Sequence, residues 1–200
     1  MSGSLTLPHN IVKRLKKHAE QAALRDSGWL HLDPTRLHPA AVLVPLVCEN
    51  GQWHLLFTRR ALELEDHSGQ VSFPGGAWEE QDGDLEQTAL REAWEEIGIN
   101  PASVIVLGKM ARFDMVSYFQ VTPVVGVVTW PQELNVNTRE VARAFMVPID
   151  WLADPHNYQS KPRLFEGQTF NIPYYNEYDG EIIWGATAQI TQEFLRLLQN

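Results

Sequence analysis

The strongest constraint on the fold is a helix predicted over residues 84–97 and ended by Gly98. At about 100° per residue its apolar side chains share one wide face, which has to be buried against a larger core. These side chains are Leu85, Ala89, Leu90, Ala93, Trp94 and Ile97. Glu92, Glu95 and Glu96 lie at i, i+3 and i+4 and therefore form a stripe along the edge of that face.

The carboxylate stripe is unfavourable unless something neutralises it. Its like charges repel one another by several tenths of a kcal/mol per pair, and they lie near the negative end of the helix dipole. A divalent cation such as Mg²⁺ resolves the conflict because its ligands are carboxylate and phosphate oxygens. Arg91, beside the stripe, can brace a carboxylate through a bidentate pair. A solvated acidic face is the alternative interpretation of the three glutamates taken alone.

A glycine turn precedes this helix. A short strand predicted over residues 70–73 stops at Pro74-Gly75-Gly76. Glycine lets the backbone turn tightly and approach a ligand closely, so a carbonyl of this turn can join a metal shell. A strand, a Gly-Gly turn, an acidic loop and a carboxylate helix in succession favour a metal site more strongly than any one of these features alone.

The rest of the sequence predicts a single domain of helices and strands over residues 1–200. Residues 1–9 are expected to be a loose terminus, and a helix is predicted over residues 10–24. Asn50-Gly51 predicts a hairpin turn between two strands. These strands cover 40–47 and 53–58, and others are predicted at 103–109, at 118–129 with a disturbance at Pro123, and at 145–149. An aromatic-rich, irregular stretch with short strands is expected over 165–184, and a last helix over 186–198. Helices and strands intermix, which is typical of an α/β or α+β domain.

Charge and composition exclude several functions. The formal net charge is −9, whereas a nucleic-acid binder needs a basic face. An acidic protein can still bind an acidic substrate when divalent cations bridge the two. Cys48 is the single cysteine, so no internal disulfide is possible and a reduced, cytoplasmic setting is expected. Residues 1–10 lack the basic region and long apolar segment of a signal peptide, so none is expected, and no apolar run is long enough to predict a membrane span.

These residues resemble the signature motif of the Nudix hydrolase superfamily. Gly76 corresponds to its first glycine, and the run from Arg91 to Ile99 corresponds to its end, apart from a small residue at Ala93. The middle departs from the family pattern, because Asp82 stands at the first acidic position and one extra residue precedes Arg91. The resemblance implies a mixed sheet between helices, an α/β/α sandwich that takes in nearly the whole chain.

The resemblance also implies an activity. Family members hydrolyse a nucleoside diphosphate linked to another group, with Mg²⁺ or Mn²⁺ as cofactor, and either a monomer or a homodimer is expected. By analogy Arg91 orients the carboxylates, and the metal ligands are Glu92, Glu95, Glu96 and the Gly76 carbonyl. The base that activates water varies across the family; it is either a glutamate of the motif or an acidic residue of a later loop, for which Glu140 is the candidate.

A narrower resemblance is to the coenzyme A pyrophosphatases of this superfamily. The runs 55–60, 67–76, 121–126 and 184–188 are similar to that group. Glu65 departs from it, because the group usually carries an arginine there. The candidate substrate-binding residues are Arg59, Arg60, His67, Tyr174 and Tyr175. ADP-ribose or a dinucleotide as substrate, and a non-catalytic nucleotide-binding module, are the alternatives.

Overall fold

The structure is a computed structural model that describes residues 10–22, 34–63, 68–115, 117–165 and 167–199. The described residues form four α-helices: α1 (Ile11–Ala22), α2 (Leu85–Ile97), α3 (Ile149–Ala153) and α4 (Gly185–Gln199). They also form ten strands: β1 (His38–Glu49), β2 (Gln52–Arg60), β3 (Val71–Ser72), β4 (Gly75–Ala77), β5 (Val104–Lys109), β6 (Phe113–Asp114), β7 (Phe119–Val128), β8 (Val141–Pro148), β9 (Tyr158–Phe165) and β10 (Gln168–Tyr175).

Eight of these strands form one mixed sheet. Its main path runs β3-β2-β1-β7-β5, while β8 pairs with β2, β4 with β1 and β6 with β7. The long strand β1 pairs in parallel with β7 and antiparallel with both β2 and β4. Strands β9 and β10 form a separate antiparallel hairpin. Because β4 pairs with the first half of β1, the glycine turn is held at the centre of the sheet.

Hydrophobic cores lie on both faces of the sheet. On one face α1, α3 and α4 contribute to a cluster that includes Leu15, Phe57 and Phe194. On the other face α2 buries Ala89, Ala93 and Ile97 against the sheet. A fully buried large aliphatic side chain contributes about 1.5–3 kcal/mol, so both clusters are needed for stability. The predicted fold class, helices on both sides of a mixed sheet, is confirmed.

Helix α2 begins and ends where its sequence dictates. The Asp84 carboxylate accepts hydrogen bonds from the N–H groups of Glu86 and Gln87, both at 2.9 Å, and thereby caps the free amides of the first turn. Gly98 adopts φ 74° and its N–H donates to the Trp94 carbonyl at 2.9 Å. This left-handed conformation favours glycine and ends the helix. The predicted helix over residues 84–97 is therefore confirmed.

Two predicted irregularities are regular in the structure. Strand β7 is continuous through Pro123, which lies where its pairing passes from β5 to β6 and where its missing N–H breaks no ladder. Within the stretch predicted to be irregular with short strands, residues 168–175 form the single strand β10, which pairs with β9 over eight residue pairs. The predicted loose terminus at 1–9 and the end of the first helix at 23–24 lie outside the described residues. Within the described ranges, none of the helices has both the length and the apolar character that crossing a bilayer requires.

Candidate active site

Helix α2 lies over the glycine turn, so the carboxylate of Glu92 is in close contact with the backbone of Gly76. A Cβ atom at Gly76 would lie 2.5 Å from Oε1 of Glu92, and one at Gly75 would lie 2.4 Å from the Ala41 carbonyl oxygen. Any larger residue at either position would displace the turn or the carboxylate. Glycine is therefore required at both positions, because the backbone of Gly75 lies against that of Ala41 and the backbone of Gly76 lies against the Glu92 carboxylate.

Glu96 is a buried carboxylate whose hydrogen bonds are incomplete. Its side chain is 4% exposed, and its Oε2 has no hydrogen-bond partner among the described residues. Burial, together with the charges of Glu92 and Glu140, raises the pKa of Glu96 to about 8, although Arg60 and the Gly75 N–H lower it. A buried carboxylate in this state favours either a proton or a cation.

Arg91 connects the carboxylates around the N-terminal side of the stripe. Its Nε lies 2.6 Å from Oδ1 of Asp82, and its Nη1 lies 2.8 Å from Oε1 of Glu92 and 3.0 Å from Oε2 of Glu95. Its Nη2 also donates to the carbonyl oxygen of Ala77 at 3.1 Å. The hydrogen bond with Asp82 is the main cause of the raised pKa of Arg91. Burial raises the pKa of Glu92, which the Arg91 charge partly opposes.

Glu140 lies close to the same carboxylates, although it is far from them in sequence. Its charge contributes to the raised pKa of both Glu92 and Glu96. Its carbonyl accepts a hydrogen bond from the Ala61 N–H at 2.8 Å, which attaches this turn to the end of β2. Its Oε1 accepts a hydrogen bond of 2.7 Å from Nδ2 of Asn137. The structure thus brings together Glu92, Glu96 and Glu140.

The two arginines at the end of β2 have different partners. The charge of Arg60 lowers the pKa of Glu96, so the two side chains interact electrostatically. The buried Nε atoms of both arginines have no hydrogen-bond partner within the described part of the chain. Arg59 instead has its Nη1 3.3 Å from Oε1 of Glu181, the same oxygen that Arg143 contacts at 3.3 Å. Arg60 is therefore placed toward the carboxylates, and Arg59 belongs to an ion-pair network.

The aromatic candidates lie on the hairpin β9–β10. Tyr175 is 1% exposed and belongs to the core, where its hydroxyl accepts a hydrogen bond of 2.6 Å from Nε2 of Gln192. The ring of Tyr174 stacks on Trp184 with centroids 5.7 Å apart, and the Lys161 ammonium lies over it. The structure does not group either tyrosine with the carboxylates through a described contact, so their role with substrate stays a prediction. His67 and Glu65 lie outside the described residues.

Two residues of this site were not identified from the sequence. Asp82 matches a motif position, but the sequence does not show that it is the partner of Arg91. The hydrogen bond from Arg91, supported by bonds from the Glu79 N–H and the Thr88 hydroxyl, lowers the pKa of Asp82 to about 2, although burial raises it. Asn137, which contacts Glu140, carries no signal in the sequence beyond its place in a loop. Only the folded arrangement identifies it.

An open cavity of about 380 Å³ adjoins the C-terminal end of α2. Its lining residues are Trp94, Glu95, Gly98, Asn135 and Asn137. Trp94, which the sequence predicts on the buried apolar face of α2, is instead 52% exposed there. Two lining residues connect the cavity with the carboxylates, because Glu95 belongs to the stripe and Asn137 donates to Glu140.

The donor set fits a hard divalent cation. Among the described residues, no group of three or more His, Cys, Asp and Glu side chains forms a ready-made metal cluster. Mg²⁺ is usually held by one or two carboxylates together with substrate phosphate oxygens and water rather than by a protein cage. The incompletely bonded Oε2 of Glu96 and the neighbouring Glu92 carboxylate match that requirement.

Comparison with known proteins identifies the family. The Nudix domain family matches residues 37–166. The chain is 42% identical over 154 residues to an uncharacterized Nudix hydrolase NudL of Pectobacterium atrosepticum, which covers 77% of this chain and 79% of the relative. A NudL of Yersinia enterocolitica is 42% identical over 153 residues, or 76% of this chain and 77% of the relative. The chain therefore belongs to the Nudix family and is a hydrolase of pyrophosphate bonds, which sets aside the non-catalytic module.

Solved structures agree with the fold. A Nudix hydrolase from M. smegmatis, RenU, superposes with a TM-score of 0.50 at 26% identity, over 58% of this chain and 74% of RenU. A MutT/nudix family protein from Enterococcus faecalis superposes with a TM-score of 0.54 over 96% of this chain and 73% of its own; at 14% identity it supports the fold alone. Nudix hydrolases generally use divalent metal ions, in agreement with the carboxylate site.

Proposed function

We propose that the chain hydrolyses the pyrophosphate bond of coenzyme A or an acyl derivative, with Mg²⁺ or Mn²⁺ as cofactor. The ligands would be Glu92, Glu95, Glu96 and the Gly76 carbonyl. The observation that carries this proposal is the buried Oε2 of Glu96, which has no hydrogen-bond partner among the described residues. Burying an uncompensated carboxylate is costly, so a site that keeps one is best explained by a charge that arrives from outside.

Each residue of the site has a role in this reaction. The cation would neutralise phosphate oxygens and lower the pKa of the attacking water. Glu140 is proposed to accept the proton of that water, whose oxygen attacks phosphorus while the bond to the other phosphate breaks. Arg91 holds Glu92 and Glu95 in place through ion pairs of 2.8 and 3.0 Å. Arg60 supplies positive charge toward the phosphates. Such positioning and charge neutralisation account for most of the catalysis of phosphoryl transfer.

Coenzyme A is supported by the motif that leads into the glycine turn. That motif includes Arg59 and Arg60 at the end of β2 and the run from Val71 to Gly76. Glu65 is the observation that favours the alternative, ADP-ribose or a dinucleotide, because a carboxylate would repel the 3′-phosphate of coenzyme A. At an effective dielectric of about 20 one close charge pair is worth roughly 4 kcal/mol at 4 Å, and solvent exposure reduces this to about 1 kcal/mol or less.

A substrate panel tests the proposal. Turnover of coenzyme A, dephospho-coenzyme A, ADP-ribose and a diadenosine polyphosphate is measured with Mg²⁺, with Mn²⁺ and after exhaustive chelation. We expect coenzyme A to be hydrolysed to phosphopantetheine and adenosine 3′,5′-bisphosphate, and chelation to abolish turnover. Undiminished turnover after chelation would contradict the metal site. Hydrolysis of ADP-ribose without hydrolysis of coenzyme A would leave the reaction class intact and replace the substrate.

The variant Glu65→Arg tests the substrate separately. If Glu65 faces the 3′-phosphate, the variant raises kcat/KM for coenzyme A more than for dephospho-coenzyme A, which lacks that phosphate. An equal change for both substrates would show that Glu65 does not contact the 3′-phosphate.

We further propose a reducing, cytoplasmic setting for the enzyme. The thiol of Cys48 is exposed and free, and exposed thiols persist in reduced compartments. Fractionation of cells that express the protein, followed by detection of the protein in each fraction, checks this.

A further inference from the structure

Asn137 joins the helix that carries Glu96 to the turn that carries Glu140. Its N–H donates to the carbonyl oxygen of Glu96 at 2.8 Å. Its own carbonyl oxygen accepts from the N–H groups of Glu140 at 3.0 Å and Val141 at 2.9 Å. These backbone bonds fix the turn against the last turn of α2, and they do not depend on which side chain residue 137 carries.

The side chain of Asn137 has a separate task. Its Nδ2 donates to Oε1 of Glu140 at 2.7 Å, and its Oδ1 accepts a weaker bond of 3.3 Å from the N–H of Arg139. The two bonds fix the orientation of the amide, which in turn limits the rotation of the Glu140 carboxylate. An amide donor is neutral, so it orients Glu140 without neutralising it as a lysine or arginine would. One carboxylate oxygen is held, and none of the described residues bonds to the other oxygen, which can therefore accept a bond from a water molecule.

We infer that Asn137 is a positioning residue that orients Glu140 toward the carboxylate site. The inference rests on the proposed function, in which Glu140 accepts a proton from the attacking water. Proton transfer requires the base to lie within hydrogen-bond reach of that water in a defined direction. Because the backbone of Asn137 is attached to Glu96, the base and the candidate metal ligand keep a fixed relation to one another.

The first test is Asn137→Ala compared with the control variant Asn135→Ala. Asn135 lies in the same loop, and its N–H donates to the Ile97 carbonyl at 3.1 Å, but no side-chain bond from Asn135 to Glu140 is among the described contacts. With the best substrate of the panel, we expect Asn137→Ala to lower kcat by at least about tenfold with KM changed by less than about threefold. Asn135 lines the same cavity, so Asn135→Ala should lower kcat by less than about threefold, a smaller loss than that of Asn137→Ala. Loss of activity in both variants would mean that the loop as a whole is needed, and would overturn the inference.

A double-mutant cycle separates positioning from structural support. A residue that acts only through Glu140 has no further effect once the base is removed. We therefore expect Asn137→Ala/Glu140→Gln to have a kcat within about twofold of Glu140→Gln alone. If the kcat of the double variant instead falls by the product of the two single losses, Asn137 acts independently of Glu140 and the inference is overturned. If Asn137→Ala does not fold, as judged by its thermal melt, Asn137→Ser is used in the same cycle.

Mn²⁺ binding measured by calorimetry gives a readout other than activity. Asn137→Ala should bind Mn²⁺ within about threefold of the wild-type affinity, whereas Glu96→Gln should lose at least about tenfold. A large loss of Mn²⁺ affinity in Asn137→Ala would place its effect on the cation and overturn the positioning role. Wild-type turnover in Glu96→Gln would instead contradict the proposed function. Wild-type turnover in Glu140→Gln, with Glu96→Gln inactive, would leave the function standing and remove only the role of Asn137.

Discussion

Asp82 and Glu96, near opposite ends of the same motif, are almost equally shielded from solvent, but their pKa values are shifted in opposite directions. Asp82 is 3% exposed and Glu96 is 4% exposed. Asp82 accepts hydrogen bonds from the side chains of Arg91 and Thr88 and from the Glu79 N–H, and its pKa is lowered to about 2. Glu96 has an oxygen without a hydrogen-bond partner among the described residues. Burial, and then the charges of Glu92 and Glu140, raise its pKa to about 8 because its partners do not offset them.

The difference separates a structural charge from a functional one. The chain itself supplies every partner that Asp82 needs, so the ionised form is favoured in the folded state and contributes to stability. The partners of Glu96 are insufficient, so its ionised form is unfavourable until a cation or a proton arrives. Burial alone therefore does not identify a functional carboxylate, whereas incomplete pairing beside like charges does.

The largest expected effect is that of Glu96→Gln on turnover. The amide keeps the size of the side chain but cannot neutralise a cation, so kcat should fall by about a thousandfold, which corresponds to roughly 4 kcal/mol. Turnover is measured at saturating Mg²⁺ and again with Mn²⁺. A variant with wild-type kcat would show that Glu96 is not a ligand.

The same variant should stabilise the metal-free protein. The folded pKa of Glu96, about 8, lies above its usual value of 4.5, so the folded state binds this proton more tightly than the unfolded chain does. The stability that the proton contributes is present below pH 4.5 and is lost as pH rises through about 8. The excess stability of Glu96→Gln over wild type should therefore grow with pH across this window in chelated samples. A constant difference in the free energy of unfolding would contradict this.

The next effect is that of Asp82→Asn on stability. The substitution leaves the largely buried Arg91 without its closest carboxylate, and breaking a buried pair costs about 3 kcal/mol. We expect kcat to fall by less than about tenfold, because Arg91 keeps its contacts with Glu92 and Glu95. Urea denaturation and turnover are measured together. If Asp82→Asn loses as much turnover as Glu96→Gln without destabilisation, Asp82 is a functional carboxylate rather than a structural one.

Asp84→Asn is the matched control for this variant. Asp84 lies in the same loop and caps α2 through bonds of 2.9 Å to two backbone N–H groups. Asparagine caps a helix about as well as aspartate, so the free energy of unfolding should change by less than about 0.5 kcal/mol.

Acid should remove the contribution of Asp82. Its folded pKa of about 2 lies below its usual value of 3.8, so its contribution is present above pH 3.8 and is lost as pH falls through about 2. The shift corresponds to at most about 2 kcal/mol. The difference between wild type and Asp82→Asn in the free energy of unfolding should therefore narrow between pH 5 and pH 2. If the difference stays constant over this range, the carboxylate is not the group that titrates.

The sequence predicted the local features of helix α2 and its carboxylates. The stripe of Glu92, Glu95 and Glu96 follows from helical spacing, and the bounds of α2 follow from Asp84 and Gly98, whose signals lie within a few residues. The two-sided packing was also predictable, since the apolar face of the helix had to be buried.

The pairings that distinguish the two carboxylates depend on distant parts of the chain. Glu140 comes within reach of Glu96 only because its turn attaches to the end of β2 and to the C-terminal end of α2. The pairing of β9 with β10 was not predicted, although short strands were expected in this stretch. Pro162 and Pro173 lie within the two strands, and proline usually argues against strand structure. In a two-stranded sheet each strand has one side without a ladder partner along most of its length, and a proline whose missing N–H faces that side breaks no ladder.

Glu95→Gln is expected to have a small effect on stability and extends the comparison of Asp82 with Glu96 to an exposed carboxylate. Glu95 lies on the same stripe, but its side chain is 51% exposed and its described ion pair is the i,i+4 contact of 3.0 Å with Arg91. An exposed pair of this kind is worth about 0.3–0.5 kcal/mol, so Glu95→Gln should change the free energy of unfolding by no more than about 0.5 kcal/mol at any pH. If Glu95 is a ligand, as proposed, its partial solvation should make it contribute less to cation binding than Glu96, and we expect kcat to fall by roughly tenfold. Thermal melts, Mn²⁺ calorimetry and turnover are compared with those of Glu96→Gln. Glu95→Gln could instead lose Mn²⁺ affinity and turnover as completely as Glu96→Gln while its stability is unchanged. That result would show that the burial of a carboxylate does not predict its contribution to cation binding. The charge that each glutamate supplies to the cation would then matter more than the unpaired oxygen of Glu96.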